Sequence, residues 1–229
     1  MKKKLSLKEH IYNELKQAIF SRKIPLNTQL NEELLSEVFN VSRTPIRSVL
    51  KRMQNEKIIQ IIPHKGAYIY QPTPKEFEDV INLRIVLEKE AIKIACKKAT
   101  EEQINELEEY TLKEEKLYKS GDYANGIRTS TKFHHKLMTM TTNDFMIQYN
   151  QELMNIMNIY IVFHENTIQE SPRSPEEHRE IINAIKNRDE KKAIELIDLH
   201  FKSIRDNLNN NQSESSVDFS RIFKPYPKS

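Results

Sequence analysis

The chain has 229 residues, of which 38% are hydrophobic and 30% charged, and its formal net charge is +3. Three glycines and no tryptophan, in a chain rich in Lys, Glu, Leu and Ile, favour a mainly helical protein of two small domains or one large one. Because no run of about 18 apolar residues occurs, we expect no membrane-spanning helix and no membrane partner.

The charge is distributed unevenly along the sequence. Residues 1–72 hold 13 Lys and Arg against 6 Asp and Glu, a net of +7, whereas residues 73–229 hold 23 against 27, a net of −4. A basic first third favours contact of that part with a polyanion such as nucleic acid. Ordinary variation of surface charge would give the same pattern, so charge alone leaves both interpretations open.

The first 72 residues begin with three predicted helices. Ser6 and Glu9 form a capping-box pattern at the start of the first helix, which Pro25 ends. A second helix is predicted after Asn31, and Ser42 can cap a third. Apolar residues at helical spacing follow each start, so each helix is expected to bury one face.

A hairpin is predicted after the third helix. Two runs rich in β-branched and aromatic residues, 58–62 and 67–70, are separated by the turn sequence 63–66. Three helices followed by a hairpin is the order of a winged helix-turn-helix domain. Pro72 and Pro74 stop both helix and sheet, so we predict a DNA-binding domain over residues 1–72.

The remainder of the chain is predicted to be all-helical up to about residue 208. We therefore expect a fold that is mainly α, with a helical bundle over residues 73–208 and a flexible, Asn- and Ser-rich tail over 209–229. The six predicted helices lie near residues 76–98, 101–119, 122–140, 143–168, 175–187 and 190–208.

Two helix starts in this part are well marked. Ser174, Pro175 and Glu177 have the pattern of an N-cap, a first-turn proline and an N3 glutamate, and Asp189 can cap the last helix.

The single cysteine, Cys96, lies in a helical pattern and cannot form an internal disulfide, so we expect a buried structural thiol. The basic start of the chain lacks the apolar segment of a secretory signal, and we therefore expect a cytoplasmic protein.

The start of the third predicted helix carries the clearest functional pattern. Arg43 and Arg47 are four residues apart, hence on one helix face, where the recognition helix of a helix-turn-helix enters the major groove. Arginine can bind guanine O6 and N7, and each good pair is worth roughly 1–3 kcal/mol of discrimination. Ser42 and Thr44 offer hydroxyls to phosphate. A solvated helix face is the alternative, which the spacing and the basic hairpin behind it disfavour.

Four short motifs in this part are typical of one family. They are Ile24-Pro25, Leu30-x-Glu32-x-x-Leu35, Val41-Ser42-Arg43-Thr44-Pro45-Ile46-Arg47-x-x-Leu50 and Pro63-x-x-Gly66. Over residues 8–70 the chain resembles the DNA-binding domain of GntR-type regulators. The resemblance implies that Arg43, Thr44 and Arg47 contact double-stranded operator DNA, and that the wing is formed by His64, Lys65 and Gly66.

The chain departs from the family pattern at three positions. Leu26 stands where the family usually has glycine after proline, and Lys57 where it usually has glycine after glutamate. Both are turn positions, so we expect local loop geometry rather than function to differ. Glu33 occupies a position where some relatives have a basic DNA contact, and that contact is not expected here.

Three histidines, His134, His178 and His200, lie on separate predicted helices of the second part. Imidazole is the commonest ligand for zinc and similar ions, and the helices of a bundle can bring such side chains together. Scattered histidines are more often surface or core residues, so the spacing alone leaves the site open. His135 points about 100° away from His134, and the rotation of His164 is not determined by the sequence.

Further motifs surround these histidines. They are Leu83-Arg84-x-x-Leu87-Glu88, Phe133-His134-x-x-Leu137, Glu177-His178-x-x-Ile181-x-x-Ala184-Ile185 and the segment from Ala193 to His200. Over residues 77–208 the chain resembles the FCD effector domain of the FadR subfamily. In metal-binding members an aspartate and three histidines surround the ion, so the resemblance implies a divalent metal such as Zn or Ni on His134, His178 and His200. Ser130 stands at the aspartate position, which leaves room for water or an effector carboxylate.

The sequence therefore predicts a ligand-responsive transcription regulator, most simply a repressor, and not an enzyme. The resemblance implies a homodimer, which would place two recognition helices on a near-palindromic operator. A small carboxylate effector is expected inside the helical domain, near Ser130 and Arg84, although an ion pair of Arg84 with Glu88 explains that arginine equally well. The alternatives are a metal sensor without organic effector, a metal-free acyl-CoA sensor and a metal-dependent hydrolase, which lacks a motif of the HExxH kind.

Overall fold

The computed structural model describes residues 6–164, 173–206 and 222–223. The fold is mainly α with one antiparallel hairpin, which confirms the predicted fold class. The chain divides into two compact units between Pro72 and Thr73. The elements are α1 Leu7–Phe20, α2 Glu32–Phe39, α3 Arg43–Asn55, β1 Ile59–Ile62, β2 Gly66–Ile69, α4 Pro74–Lys98, α5 Glu101–Lys119, α6 Tyr123–Thr139, α7 Asp144–His164, α8 Ser174–Lys186 and α9 Glu190–Asp206.

The helix starts of the first unit follow local side-chain chemistry. The Ser6 side chain accepts a hydrogen bond from the Glu9 N–H at 3.3 Å, as its position in the sequence predicts. Ser42 also occupies its predicted N-cap position, but its side chain makes no capping hydrogen bond. The third residue of α3 is Pro45, which has no N–H to donate, so the hydroxyl of Ser42 remains available at the surface.

The third helix of this unit has one buried face and one exposed face. Its buried residues are Ile46, Val49, Leu50 and Met53, each 2% exposed or less. Burial of an aliphatic side chain of this size stabilises a fold by about 1.5–3 kcal/mol, which fixes the rotation of α3 about its axis. The opposite face, with its arginines, is therefore directed to solvent.

The two strands form a short hairpin. Strand β1 pairs with β2 in antiparallel register from Ile59 opposite Ile69 to Ile62 opposite Gly66. Both His64 and Gly66 have positive φ, 62° and 96°, and the tight turn they make projects the segment 63–65 from the sheet. The hairpin is thus the wing that follows the three helices.

Two turns show how the chain replaces the glycines of its family pattern. Lys57 has φ 58°, so it adopts the left-handed conformation for which glycine is better suited. In the earlier turn the left-handed residue is Asn27, with φ 65°, and not Leu26. Leu26 thus does not need a left-handed conformation, because Asn27, a residue type that tolerates this conformation, adopts it one position further along.

Substitution of Lys57 by glycine is expected to raise the free energy of unfolding of the first unit by about 0.5–1 kcal/mol, because the steric penalty of the left-handed residue is removed. Hydrogen exchange of the amides of α3 and β1 in the full chain measures this change. Lys51→Gly is the matched control, since it lies in the helix interior and should lower stability by about 1 kcal/mol. Equal destabilisation by both variants would contradict the expectation.

The second unit is a helical bundle. Helix α4 begins with a capping box of Thr73 and Glu76 and packs against α6, α7, α8 and α9, while α5 packs against α6 and α8. The predicted cap of the last helix is confirmed, since Asp189 Oδ1 accepts from the Lys192 N–H at 3.0 Å. Among the described residues, no helix combines the length and apolar character needed to cross a membrane.

The prediction of Ser174 as an N-cap is wrong. The N-cap position belongs to Arg173, and Ser174 is the first residue of α8. The Ser174 hydroxyl donates instead to Glu114 Oε1 at 2.5 Å, so a tertiary partner takes the side chain that the local pattern assigned to capping. The predicted tail lies outside the described residues apart from 222–223, where the Phe223 ring packs at 5.0 Å from the Phe39 ring.

Candidate metal centre and DNA-binding surface

The three predicted histidine ligands meet inside the helical bundle. His134 on α6, His178 on α8 and His200 on α9 are at most 3% exposed. Each offers one ring nitrogen, and these atoms all lie within 4.8 Å of one another. His135, the next residue on α6, is half-buried and does not belong to this group, and the side chain of His164 lies outside the described residues.

Each of the three histidines is held by its own carboxylate. His134 Nδ1 lies 2.7 Å from Glu88 Oε2, His178 Nδ1 lies 2.9 Å from Glu114 Oε2, and His200 Nδ1 lies 2.7 Å from Glu177 Oε2. A carboxylate behind a histidine fixes the orientation of the ring and raises its basicity as a ligand. The three Nδ1 atoms are therefore occupied, and the three Nε2 atoms are left for the centre.

The charges at this site explain which nitrogen carries the hydrogen. Burial opposes ionisation of Glu88, but the charge of Arg84 and the hydrogen bond from His134 outweigh it and lower the pKa of Glu88 to about 2. Burial lowers the pKa of His134 to about 3, although Glu88 opposes the shift, and burial likewise lowers the pKa of His200. Neutral imidazoles facing ionised carboxylates must donate from Nδ1, so their Nε2 lone pairs point inwards.

The inward nitrogens lack the donors they need. His134 Nε2 and His200 Nε2 are 3.3 Å apart, and both are acceptors in these tautomers. His178 Nε2 is buried without a hydrogen-bond partner in the part of the chain that the structure describes. Two nitrogens bound to one tetrahedral zinc ion at about 2.0–2.1 Å would lie about 3.3 Å apart. The donor set and the spacing of the His134–His200 pair thus fit a divalent cation, and His178 Nε2 is the third inward nitrogen of a group that spans 4.8 Å.

The two predicted effector residues lie close to this group in the fold. Arg84 is fully buried on α4; it forms an ion pair with Glu88 Oε1, and its Nη1 lies 2.9 Å from Met157 Sδ. Arg84 Nε has no hydrogen-bond partner among the described residues. Ser130 is half-buried on α6, one helical turn before His134. The ion pair that the sequence left as an alternative for Arg84 is therefore present.

The sequence analysis named Glu88 and Glu177 without pairing them with the histidines, and it missed Glu114, although a signal for Glu114 existed. Glu114 is spaced from Leu107, Thr111 and Tyr118 so that it falls on the buried face of α5. A glutamate on the apolar face of an amphipathic helix is rare unless it is paired. That position alone marks Glu114 as a residue with a buried partner.

The predicted DNA contacts on α3 lie together on the surface of the first unit. Ser42, Arg43, Thr44 and Arg47 are all exposed in the first turns of α3 and at its N-cap. At the wing tip, in the same unit, Gly66 is half-buried while His64 and Lys65 are exposed. Apart from Gly66, these residues have the exposure that a groove-binding surface requires.

The sequence analysis also missed a residue that positions the wing. Gln29 Nε2 donates to the Lys65 carbonyl oxygen at 2.6 Å, and Gln29 forms an isolated β-bridge with Tyr68. A Cβ atom added to Gly66 would lie 2.8 Å from the same Nε2, so the wing tip and Gln29 are closely packed. The φ of 96° favours glycine at position 66, and a larger residue there would displace the amide of Gln29 from its hydrogen bond with Lys65.

Comparison with known families agrees with both halves of this description. The family described as bacterial regulatory proteins, gntR family, matches residues 7–69, and the FCD domain family matches residues 79–203, more than half of the chain. The FCD match includes all three histidines of the candidate centre. The gntR match includes the exposed arginines of α3 and the wing.

Individual relatives are similar over most of their length. An uncharacterized HTH-type transcriptional regulator, YdhC of Bacillus subtilis, is 25% identical over 191 residues, which cover 83% of this chain and 85% of the relative. The gluconate operon transcriptional repressor of Bacillus licheniformis is 26% identical over 208 residues, which cover 88% of this chain and 82% of the relative. The structure of E. coli McbR/YncC shares the fold, with a TM-score of 0.72 and 19% identity. The match covers 89% of this chain and 95% of that structure.

These matches decide between the protein classes that the sequence left open. The families are those of transcription regulators, so the alternative of a metal-dependent hydrolase is wrong. The three buried histidines lie within the residues that match the FCD domain. The chain is therefore a member of the gntR family of bacterial regulatory proteins with an FCD domain, a DNA-binding transcription regulator.

Proposed function

We propose that this regulator binds a divalent metal, Zn or Ni, through His134, His178 and His200, and that a small carboxylate effector completes the shell of the ion. The observation that carries the proposal is the convergence of three histidine ring nitrogens, one of which, His178 Nε2, is buried without a partner among the described residues. A metal at this place would supply a Lewis-acidic centre for an anionic ligand.

The buried charges support the same proposal. Glu88, Glu114 and Glu177 each have a pKa below the ordinary value, because their histidine partners and, for Glu88, Arg84 outweigh the effect of burial. All three carboxylates therefore favour their charged form beside the histidines, and the guanidinium of Arg84 pairs with Glu88. A divalent cation held by the histidines would compensate this negative charge, since buried ions are stable only when they are compensated.

The effector would bind on the side of the metal that the protein leaves open. Ser130 stands where metal-binding members of the family have an aspartate, so this chain offers the ion three imidazoles and no carboxylate ligand at that position. A carboxylate from solution can take the vacant coordination position. We keep Arg84 as a contact for that carboxylate through its Nε–H, while its Nη2 remains on Glu88.

For DNA binding, we propose that Ser42, Arg43, Thr44 and Arg47 occupy the major groove, with His64, Lys65 and Gly66 against the neighbouring backbone or minor groove. A homodimer acting in the cytoplasm would place two such surfaces on a near-palindromic operator. Repression is the simplest output, since several relatives are named as repressors.

The test of the proposal compares metal with metal plus acid. Full-length protein stripped with chelator is titrated onto a duplex selected from a random library, first with Zn²⁺ or Ni²⁺ alone and then with gluconate or other small hydroxy acids added. Gluconate is a rational first probe because two relatives are named for a gluconate operon. We expect a change in DNA affinity of about 5- to 150-fold on adding an effective acid to metal-loaded protein.

A sensor of the metal alone is the second candidate. It is favoured by the fact that all three histidines are already oriented by carboxylates without an organic ligand. This candidate predicts the whole change in DNA affinity on addition of the ion, with no further effect of any acid. Protein that binds neither ion would exclude both candidates.

Ser130→Asp is expected to tighten metal binding by roughly tenfold or more and to weaken the response to the acid, because the new carboxylate occupies the open position. Zinc competition with a chromophoric chelator measures the first effect, and DNA binding with added acid measures the second. Ser130→Asn is the control of similar size without the charge. An unchanged zinc affinity in Ser130→Asp would place residue 130 away from the ion.

A further inference from the structure

Both arginines of the proposed DNA-binding face are engaged by carboxylates of α2. Arg43 forms an ion pair with Glu33, and Arg47 Nε lies 2.5 Å from Glu32 Oε2. The arginine side chains are nevertheless 52% and 66% exposed, so the pairs lie at the surface that would approach DNA. The free protein thus presents its arginines already bound to acceptors.

The two carboxylates are held in place by the start of their helix. Glu32 and Glu33 are the first two residues of α2, and Asn31 caps it by accepting from the N–H groups of Glu33 and Leu34 at 2.8 and 3.0 Å. Negative side chains are favourable at a helix N-terminus because they face the positive end of the helix dipole. The cap and the dipole therefore keep both carboxylates next to α3.

A carboxylate competes for the same donors that DNA needs. Its two oxygens bind a guanidinium much as guanine O6 and N7 or two phosphate oxygens do. An arginine engaged in such a pair has fewer donors for a phosphate, and the carboxylate beside it repels the backbone. At the operator, a base pair with two well-placed acceptors can replace the carboxylate as the partner of the arginine. A phosphate of DNA with another sequence replaces the carboxylate less well.

We propose that Glu32 and Glu33 are specificity-determining residues. They hold Arg47 and Arg43 in surface ion pairs that suppress binding to DNA of arbitrary sequence, and these pairs are exchanged for base contacts at the operator. The inference rests on the DNA-contact role proposed above for the two arginines. It needs neither metal nor effector, so it stands or falls separately from the sensing proposal.

The test uses full-length protein and two duplexes. The first is the sequence that wild-type protein enriches from a randomised duplex library, and the second has the same base composition in shuffled order. Kd values for both duplexes are measured over a range of salt concentrations for wild type, Glu32→Gln and Glu33→Gln. Glutamine keeps the shape of the side chain and removes its charge.

Glu37→Gln is the matched control. Glu37 is exposed on the same helix, the substitution changes the net charge by the same amount, and Glu37 pairs with neither arginine in the described part of the chain. Circular dichroism of every variant verifies that α2 is retained. The control separates loss of a specific ion pair from a general change in charge.

We expect Glu32→Gln and Glu33→Gln to bind the shuffled duplex about tenfold more tightly than wild type. The slope of log Kd against log salt concentration should be steeper by the amount that about one to two additional phosphate contacts per dimer produce. The ratio of selected to shuffled affinity should fall in both variants and stay within about twofold of wild type in Glu37→Gln. The inference would be overturned if the affinity of Glu32→Gln and Glu33→Gln for the shuffled duplex rose no more than that of Glu37→Gln. It would also be overturned if the two variants only bound the selected duplex more weakly, because the carboxylates would then only orient the arginines.

Discussion

His134→Ala should remove stoichiometric metal binding from the full-length protein, with a reduction in affinity greater than about 100-fold. Removal of an outer-shell partner alone typically lowers metal affinity by about 10- to 100-fold. The His134→Ala substitution removes a ligand itself, and Glu88 is left without the imidazole that it orients. Equilibrium dialysis against Zn²⁺ followed by elemental analysis measures the bound metal per chain.

The neighbouring histidine provides the control for this experiment. His135→Ala changes the same residue type on the same helix, but His135 is outside the group of convergent nitrogens. We expect zinc affinity within about threefold of wild type for this variant, since no ligand or outer-shell group is touched. Thermal unfolding gives a second readout, because an ion at 100 times its Kd should stabilise the folded protein by about 2.7 kcal/mol. Equal zinc stabilisation of His134→Ala and wild type would refute the proposed centre.

Arg47→Ala is expected to abolish specific operator retention while the fold remains intact. A bidentate contact with guanine contributes roughly 1–3 kcal/mol of discrimination, and a dimer makes it twice, so selected-duplex affinity should fall by about 30- to 10⁴-fold. Arg47 is 66% exposed and its ion pair with Glu32 is at the surface, where such pairs contribute at most about 1 kcal/mol to stability. Fluorescence anisotropy with selected and shuffled duplexes measures the decrease in affinity.

Lys51→Ala is the comparison for Arg47→Ala. Lys51 is exposed on the same helix one turn later, and its removal also deletes one positive charge. If Lys51 binds a phosphate, the substitution should weaken both duplexes about equally and reduce the salt dependence by about one unit for each phosphate released. Retention of the selected duplex by Arg47→Ala at wild-type affinity would refute the base-reading role of this arginine.

Most helix boundaries of this chain could be predicted because the interactions that set them are local. The caps formed by Ser6 and Asp189 accept hydrogen bonds from N–H groups three residues ahead, a distance that the backbone geometry alone determines. The prediction failed at Ser174, whose hydroxyl binds Glu114, a residue sixty positions earlier in the chain. A local pattern contains no information about a partner at that separation.

In the candidate sites, too, the sequence identified some residues and missed the partners that contact them from other helices. Helical periodicity was sufficient to place Arg43 and Arg47 on one face of α3, and family motifs were sufficient to identify His134, His178 and His200. Neither revealed which acidic side chains lie beside them.

By itself, then, the sequence determined the helices, the hairpin, the exposed arginine face and the residue types that can bind a metal, because these depend on period, capping and composition. Only the tertiary structure decided the pairing of each group: Glu88, Glu114 and Glu177 behind the histidines, and Glu32 and Glu33 on the arginines. The physical reason is that these contacts join different helices. Their distances depend on how apolar faces pack against one another, which no spacing along a single helix records.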